Sequence, residues 1–487
     1  MSLDLSRLTD PRNGDVEVFN VNVTEFNTFD DTLDLNVLFT YRVNAGTVFY
    51  GGYDDHYQQG SSICSGFSER GKWRTQMSIR QHIGLGVSTV AALAVLATHA
   101  MGQDWPQWRG PNRDGSVTGF SVPSTWPAAL SEVWSVEVGF GYASPILIGD
   151  TLYMFTRQGD DEVVRALDAG SGATRWSTSY PAPFNMVSAT QNHGPGPKST
   201  PAYADGRLFT LGISGIVTAF EASSGRQLWQ RPADPVEPLY HTGQSPYVDG
   251  DQVILHVGGQ DAGALTAFDV ATGAERWRWD GDGPAYGSPI VVDAEGIRQV
   301  ITFTQENFVG VNADTGQLLW RRPYTTQSTT TSQTPRLYQG DVIESGRGNG
   351  ITRFRIVREG NAWTTEDVWH TDEVSLHMTN GVEVDGVLFG LSHLNSGQYF
   401  GLDLDTGDVL WTSDPRQADN AAILNVGTTI LALEDDAELV IVSHSRTGFE
   451  PVQRYEVADS ATWTLPTLAG NRMFVKDVES VTLWVVN

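Results

Sequence analysis

The chain has 487 residues, enough for two to four average domains or for one large closed β-architecture. Its 51 Gly, 22 Pro and 15 Trp against only 18% charged residues describe a turn-rich, aromatic-anchored β protein rather than a helical bundle or a disordered chain. A formal charge of −27 argues against a nucleic-acid or anionic-membrane partner, and the single cysteine, Cys64, excludes an intramolecular disulfide, a CxxCH haem site and a cysteine zinc cluster.

At the N-terminus, "LNVLFTYRVNAGTVFYGGYDDHY" alternates faces as a β-hairpin does and looks like the last strands of an outer-membrane barrel. The stretch beginning at Met77 has a basic start at Arg80, an uncharged apolar run from Ile83 to Ala97 and small residues at its exit, which is the form of a secretory signal. Signals act at the start of a chain. Residues 1–76 are therefore expected to be an extension outside the native protein, from a mis-called start, with 77–102 the signal peptide. Cleavage after Ala100 or Gly102 would leave a mature chain from near Gln103, without an integral membrane span and periplasmic or secreted. No Cys follows the apolar run, so a lipid anchor is not expected.

After a lead-in at 103–130, one motif repeats: "LDAGSGATRW" ending at Trp176, "FEASSGRQLW" at Trp229, "FDVATGAERW" at Trp277, "VNADTGQLLW" at Trp320 and "LDLDTGDVLW" at Trp411. Each carries Asp, Glu or Asn four residues before Gly and Trp four after, which is the signature of a repeat architecture. Ser-Pro or Thr-Pro opens each unit (Ser144, Thr200, Ser245, Ser288, Thr334), and Asp-Gly turns follow at 205–206, 249–250 and 385–386. Each unit thus predicts four antiparallel strands, with Gly giving the last hairpin its positive φ, the acidic or Asn side chain capping free N–H groups, and Trp burying its face on the next unit.

Counting final strands gives Trp176, Trp229, Trp277, Trp320, a longer variant at Trp369, Trp411 and a degenerate one near Tyr455. The last segment lacks an outer strand, and "SEVWSVEV" around Trp134 supplies it. The expected fold is all-β: residues 131–487 form an eight-bladed β-propeller, closed by pairing of N- and C-terminal strands.

These Gly-to-Trp hairpins resemble the tryptophan-docking motifs of the pyrroloquinoline quinone (PQQ) repeat family, which includes quinoprotein dehydrogenases and the BamB-type outer-membrane assembly factor. The lead-in "DWPQWRGPNRDG", Asp104 to Gly115, with Trp126-Pro127, is similar to the mature start of secreted PQQ-like propellers. The resemblance covers about Gln103 to Asn487. It implies one of two functions: a BamB-like, non-catalytic scaffold binding a small ligand or an envelope protein, or a PQQ- and calcium-dependent oxidoreductase of alcohols or sugars. The dehydrogenases share a catalytic Asp, a calcium held by Glu and Asn, and often a disulfide of adjacent cysteines, which one cysteine cannot make. Glu306-Asn307 is a weak calcium candidate, and "DGDG" at 280–283 reads as a turn, because Val291 stands where a calcium loop needs Glu. GxSxG, HExxH and Walker patterns do not occur.

In a propeller, the loops from one blade's outer strand to the next blade's inner strand converge on one face of the channel. Here they carry His193 and Lys198, His241 and Gln244, Tyr286, His377 and Asn380, Asn420 and Trp463, while loops within blades add Arg157, Arg347 and His393. Cations, histidines and aromatics gathered on an acidic protein suit an anionic or planar polar ligand. The histidines come from separate blades, so their spacing assigns no metal. No catalytic residue is assigned. No cofactor is expected with certainty, PQQ with calcium being the candidate, and the chain is expected to act as a monomer.

Overall fold

The computed structural model describes residues 103–487 except 184 and 328–330, together with the strand backbones within 2–77. The expected signal segment lies outside the described residues, apart from Met77. The chain divides into two compact units, Met1–Ala100 and Met101–Asn487. In the first, Ser2–Thr9, Val16–Asn27, Thr32–Asn44 and Thr47–Gln58 make a four-stranded antiparallel sheet, and the last two strands form the hairpin read from the sequence. Among the described residues no helix is long and apolar enough to cross a membrane.

The second unit is eight sheets of four antiparallel strands: blade 1 (residues 146–181), blade 2 (202–231), blade 3 (247–279), blade 4 (290–323), blade 5 (336–371), blade 6 (382–412), blade 7 (421–456) and blade 8. Blade 8 takes Thr467–Ala469, Arg472–Lys476 and Ser480–Val485 from the C-terminus and Ser131–Glu137 from the N-terminal side, with Leu483 opposite Trp134. The ring is therefore an eight-bladed propeller closed by pairing its two ends.

What joins the blades is a tryptophan seated on the next blade's turn glycine. A Cβ on Gly225 would lie 2.3 Å from the Trp176 ring, one on Gly273 2.6 Å from Trp229, one on Gly316 2.5 Å from Trp277, and one on Gly407 2.7 Å from Trp369. These glycines have φ near 70–80°, so the turn and the seat for the ring need the same residue. Each indole N–H then donates into the neighbouring blade: Trp176 to Ala222 O, Trp229 to Val270 O, Trp277 to Ala313 O, Trp369 to Leu404 O and Trp411 to Ser445 O. Asp168 and Asp269 cap their turns with Oδ1 accepting two backbone N–H groups each. Trp320 departs from this rule. The last hairpin of blade 5 turns at Gly360, but no ring lies within 4 Å of where its Cβ would be, and Trp320 Nε1 donates to Gln299 within its own blade while its ring packs on Phe354.

Closure uses the same device, since Trp134 covers Gly172 of blade 1 with 2.9 Å to the position a Cβ would take. Truncating it leaves that seat empty and the blade 8–blade 1 junction without its ring. Trp134→Ala is expected to cost about 2–4 kcal/mol, read as a lower urea midpoint with an unchanged slope; an unchanged midpoint would show that the ring closes without it.

Candidate functional site

The Ser/Thr-Pro dipeptides that open the inner strands do more than start them. Proline has no N–H to lose, and the preceding residue turns its own N–H sideways to the next blade. Ser144 N donates to Thr200 Oγ1, Thr200 N to Ser245 Oγ and Ser245 N to Ser288 Oγ, at 2.9–3.1 Å. Thr334 N donates to Asn380 Oδ1, Ala421 N to Thr379 Oγ1, and Leu465 N returns to Ser144 Oγ. The result is a hydroxyl and amide collar around the channel, fixed by the blades themselves.

Above the collar lies a cavity of about 470 Å³. Eight of the ten expected ligand-binding residues line it: His193, Lys198, Tyr286, Arg347, His377, Asn380, Asn420 and Trp463. His241 and Gln244 do not; both are buried behind the wall beside a minor hollow. Gln244 is spent on His256, whose backbone N–H donates to its Oε1 and whose carbonyl accepts from its Nε2, while His241 lies 3.3 Å from Glu237 and accepts from Val187 N at 3.4 Å. Arg157 is likewise structural, donating to the carbonyls of Gly159 and Ala182, and His393 accepts from Gly348 N.

One wall is aromatic. His193 stands edge-on to Trp463 with centroids 4.8 Å apart, and Tyr142 closes the group at 6.2 and 6.4 Å from them. On the opposite wall the Tyr286 hydroxyl donates to Tyr240 O, and the ring fits only because residue 243 is glycine: a Cβ there would sit 2.2 Å from it. Lys198 Nζ lies 5.6 Å from the Tyr286 centroid and makes only long contacts, 3.4 Å to the Tyr286 hydroxyl and 3.5 Å to Tyr240 O. Among the described residues no carboxylate pairs with it, and burial draws its ammonium down to about 8. Burial, then Arg347 and His393, hold His377 near 4, and burial followed by Lys198 lowers His193. At neutral pH these imidazoles are therefore uncharged hydrogen-bonding groups.

Sequence reasoning missed the floor. Trp108 lines the cavity with its indole N–H on Thr334 Oγ1 at 2.9 Å, and it belongs to the lead-in that plugs the channel. Residues 105–121 reach all eight blades or the loops that enter them. Trp105 exchanges backbone bonds with Leu147, Tyr203 N donates to Pro106 O, Val117 N donates to Asn425 O and Ser121 N to Gly470 O. Arg113 Nη1 donates to Ser245 O and Pro289 O, and Arg109 to Asn380 O and Gly381 O. Arg336 of blade 5 donates to Asp114 O and Gly381 O. The clue available was the density of Trp, Arg and Gly in "DWPQWRGPNRDG", which suits a segment that packs and turns.

Glu306 and Asn307 lie away from the cavity. Asp282 of the "DGDG" turn accepts from Thr304 Oγ1 at 2.5 Å, Glu306 N at 3.0 Å and Asn307 Nδ2 at 2.8 Å, which makes a knot between two loops. Among the described residues no three His, Cys, Asp or Glu side chains gather to hold a metal.

Burial, with Lys198 second, lowers His241 to about 4, below its unfolded value of about 6.5. It therefore contributes stability that is complete above about pH 6.5 and is lost as pH falls toward 4. Glu162, Glu344 and Glu434, pushed up to about 7 by burial, act oppositely, losing stability as pH rises from about 4.5 to 7. The informative comparison is variant against parent. His241→Gln is expected to lose less melting temperature than the parent between about pH 7 and pH 5, and an equal loss would assign the acid sensitivity elsewhere.

A family model described as outer membrane protein assembly factor BamB matches residues 160–413. BamB of Yersinia pestis is 23% identical over 301 residues, 58% of this chain and 73% of that protein. The dehydrogenase subunit of a quinone alcohol dehydrogenase from Komagataeibacter europaeus is 29% identical over 149 residues, 28% of this chain but 19% of that protein. Among solved structures, BamB from Moraxella catarrhalis superposes with a TM-score of 0.54 at 18% identity, covering 74% of this chain and 98% of that one. A quinohemoprotein alcohol dehydrogenase from Pseudomonas putida gives 0.57 at 14% identity over 81% and 82%.

Proposed function

The chain belongs to the BamB family of PQQ-repeat propellers, and from that premise we propose that it is an exported envelope protein whose loop-rich face binds a ligand or protein partner without catalysing a reaction. The observation that supports this most is the chemistry of the cavity lining. Its charged members are Lys198 and Arg347, its walls are aromatic, and among the described residues none of those lining it is an aspartate or a glutamate. The calcium sites that carboxylates build have no oxygen of that kind in this lining, and the bases it presents are the neutral imidazoles of His193 and His377. The collar offers neutral Ser, Thr and Asn oxygens instead.

PQQ fits the same lining in part. Its carboxylates suit Lys198 and Arg347 and its flat ring suits Trp108 and Trp463, so these residues would hold it; bound PQQ supplies two-electron quinone chemistry. Calcium and the catalytic carboxylate have no counterpart in the lining. The test is turnover. Full chain supplied with PQQ and calcium is expected to show no dye-linked oxidation of alcohols or sugars, and oxidation that requires both would move the protein to the dehydrogenase reading.

Export follows from the segment beginning at Met77. Residues 1–76 are proposed to be no part of the exported protein, and 77–102 to be removed. N-terminal sequencing of the chain recovered from the native envelope is expected to start near Gln103, and a start before Met77 would overturn the assignment.

A further inference from the structure

We propose that Lys198 is a reactive amine that captures an aldehyde in the cavity as an imine, holding it by a reversible covalent bond. The inference rests on the cavity being the binding site of the preceding section and adds a covalent step at one named atom.

Two independent observations carry it. The first is which cation stands here. Of the 31 Lys and Arg residues in the chain only three are lysines, Lys72, Lys198 and Lys476. Under the cavity floor the cations are arginines, Arg109, Arg113 and Arg336, which spend their donors on carbonyls. A guanidinium stays protonated and cannot attack a carbonyl carbon, whereas a desolvated lysine gives up its proton and becomes a nucleophile. Lys476 is fully buried, its Nζ bonded to Asp477 O at 2.7 Å and Val478 O at 2.9 Å. Lys72 lies outside the described residues. Among the described residues Lys198 is therefore the one primary amine of a side chain that lines the cavity.

The second is what surrounds Nζ. The Tyr286 hydroxyl, at 3.4 Å, has given its proton to Tyr240 O, and Tyr240 O, at 3.5 Å, is a carbonyl, so neither can donate to the amine. Once the ammonium proton has left, neither neighbour holds the nitrogen lone pair. Among the described residues no carboxylate pairs with Lys198 to keep it charged, and burial draws its ammonium down to about 8. About a tenth of it is then free amine at pH 7, against less than about one part in a thousand for an ordinary lysine. The lone pair adds to the carbonyl carbon as the C=O π pair moves onto oxygen, and a proton passes from nitrogen to that oxygen to give a carbinolamine. The C–O bond then breaks as nitrogen forms C=N, and the oxygen leaves with the second amine proton as water. Nothing is oxidised or reduced. Ser245 and Ser288 line the same space, and each accepts a backbone N–H while keeping a hydroxyl proton to steady the charge on that oxygen. The walls of Trp108, Trp463 and Tyr286 suit an aldehyde with an apolar body.

The probe is benzaldehyde, incubated with the full chain and trapped with sodium cyanoborohydride, which reduces an imine to a stable benzylamine. Intact mass and peptide mapping read the site, and tryptophan fluorescence reads occupancy. Expected are one benzyl group per chain, on Lys198, and labelling that saturates with aldehyde. Lys198→Arg keeps the charge and removes the amine, and is expected to lower labelling by about tenfold or more at the parent's melting temperature. If that variant fails to fold, the parent decides. Its Lys198 is expected to label about tenfold or more faster than Lys476 and the α-amino group when folded, and to lose that lead in urea. No adduct, equal labelling of the other amines in the folded chain, labelling linear in aldehyde, or an adduct undiminished in Lys198→Arg would each overturn the proposal. Saturable fluorescence quenching without an adduct would remove the imine and leave the cavity as a binding site. A photo-crosslinker at the exposed rim residues Leu239 or Met378 separates the two levels. Crosslinks to one envelope protein together with no adduct would remove covalent capture and leave the scaffold reading standing.

Discussion

A tryptophan resting on a glycine is the contact on which this architecture depends. The indole of one blade needs a flat seat in the next, and the tight hairpin that supplies it needs a left-handed residue, so one glycine meets both demands. Neither partner has value alone. An isolated blade would expose its tryptophan and two unpaired strand edges, and stacking removes the first problem but not the second. Only closure removes both, and closure requires the segment around Trp134 to arrive at the C-terminal sheet more than three hundred residues away, where Leu483 and Trp134 face one another. The loop-closure entropy of that pairing grows only as the logarithm of the separation, so the junction that completes the ring costs little more than a shorter one.

Closing a ring of eight leaves a hole on its axis, and the chain fills it with its own lead-in. The inner strands are mostly three residues long, for example Ala202–Ala204 and Val382–Val384, and their backbone groups facing the axis need partners. The collar of Ser, Thr and Asn side chains answers part of that demand, and residues 105–121 answer the rest with backbone bonds and two arginines. Arg109 and Arg113 adopt φ of 62° and 57°, a conformation that side chains other than Gly rarely take. The interlock with several blades is what holds them there. The plug makes the channel a cup instead of a pore, and Trp108 its floor.

How far the sequence discloses this depends on whether a feature is local. The hairpin turn, its cap and its tryptophan lie within ten residues, so blade number and closure could be read from spacing. Blade 5 shows the limit. Its long hairpin, Ile351–Glu359 to Ala362–Thr371, has no glycine seat, and Trp320 turns inward to Gln299 for a reason visible only in three dimensions. Gathering of the cavity residues could be anticipated because propeller topology itself brings successive loops to one face. Which of two neighbours in a loop points inward could not: in "LYHTGQSP" the expected His241 and Gln244 are buried behind the wall, while Tyr240 and Ser245 line the cavity. The plug was least legible. Arg109 meets Asn380 across 271 positions and Trp108 meets Thr334 across 226, and no periodicity announces such a contact.

The charge distribution follows from the same division between turns and axis. Aspartate is abundant because the repeating turns use it, as Asp168, Asp269 and Asp403 do, and these turns lie at the periphery where water screens their charge. The axis has no such turns. Its polar demand comes from carbonyls, and the residue that satisfies several carbonyls at once is arginine, with five donors and a charge it does not surrender. An acidic rim and a basic axis therefore arise from backbone accounting alone, before any ligand is considered. Lys198 is different. It satisfies no carbonyl well, its nearest oxygens lying at 3.4 and 3.5 Å, and desolvation works against its charge. The fold's own hydrogen bonding gives the arginines a reason to be where they are and gives this lysine none. Its ammonium is left with the face of Tyr286 and two distant oxygens as its partners among the described residues.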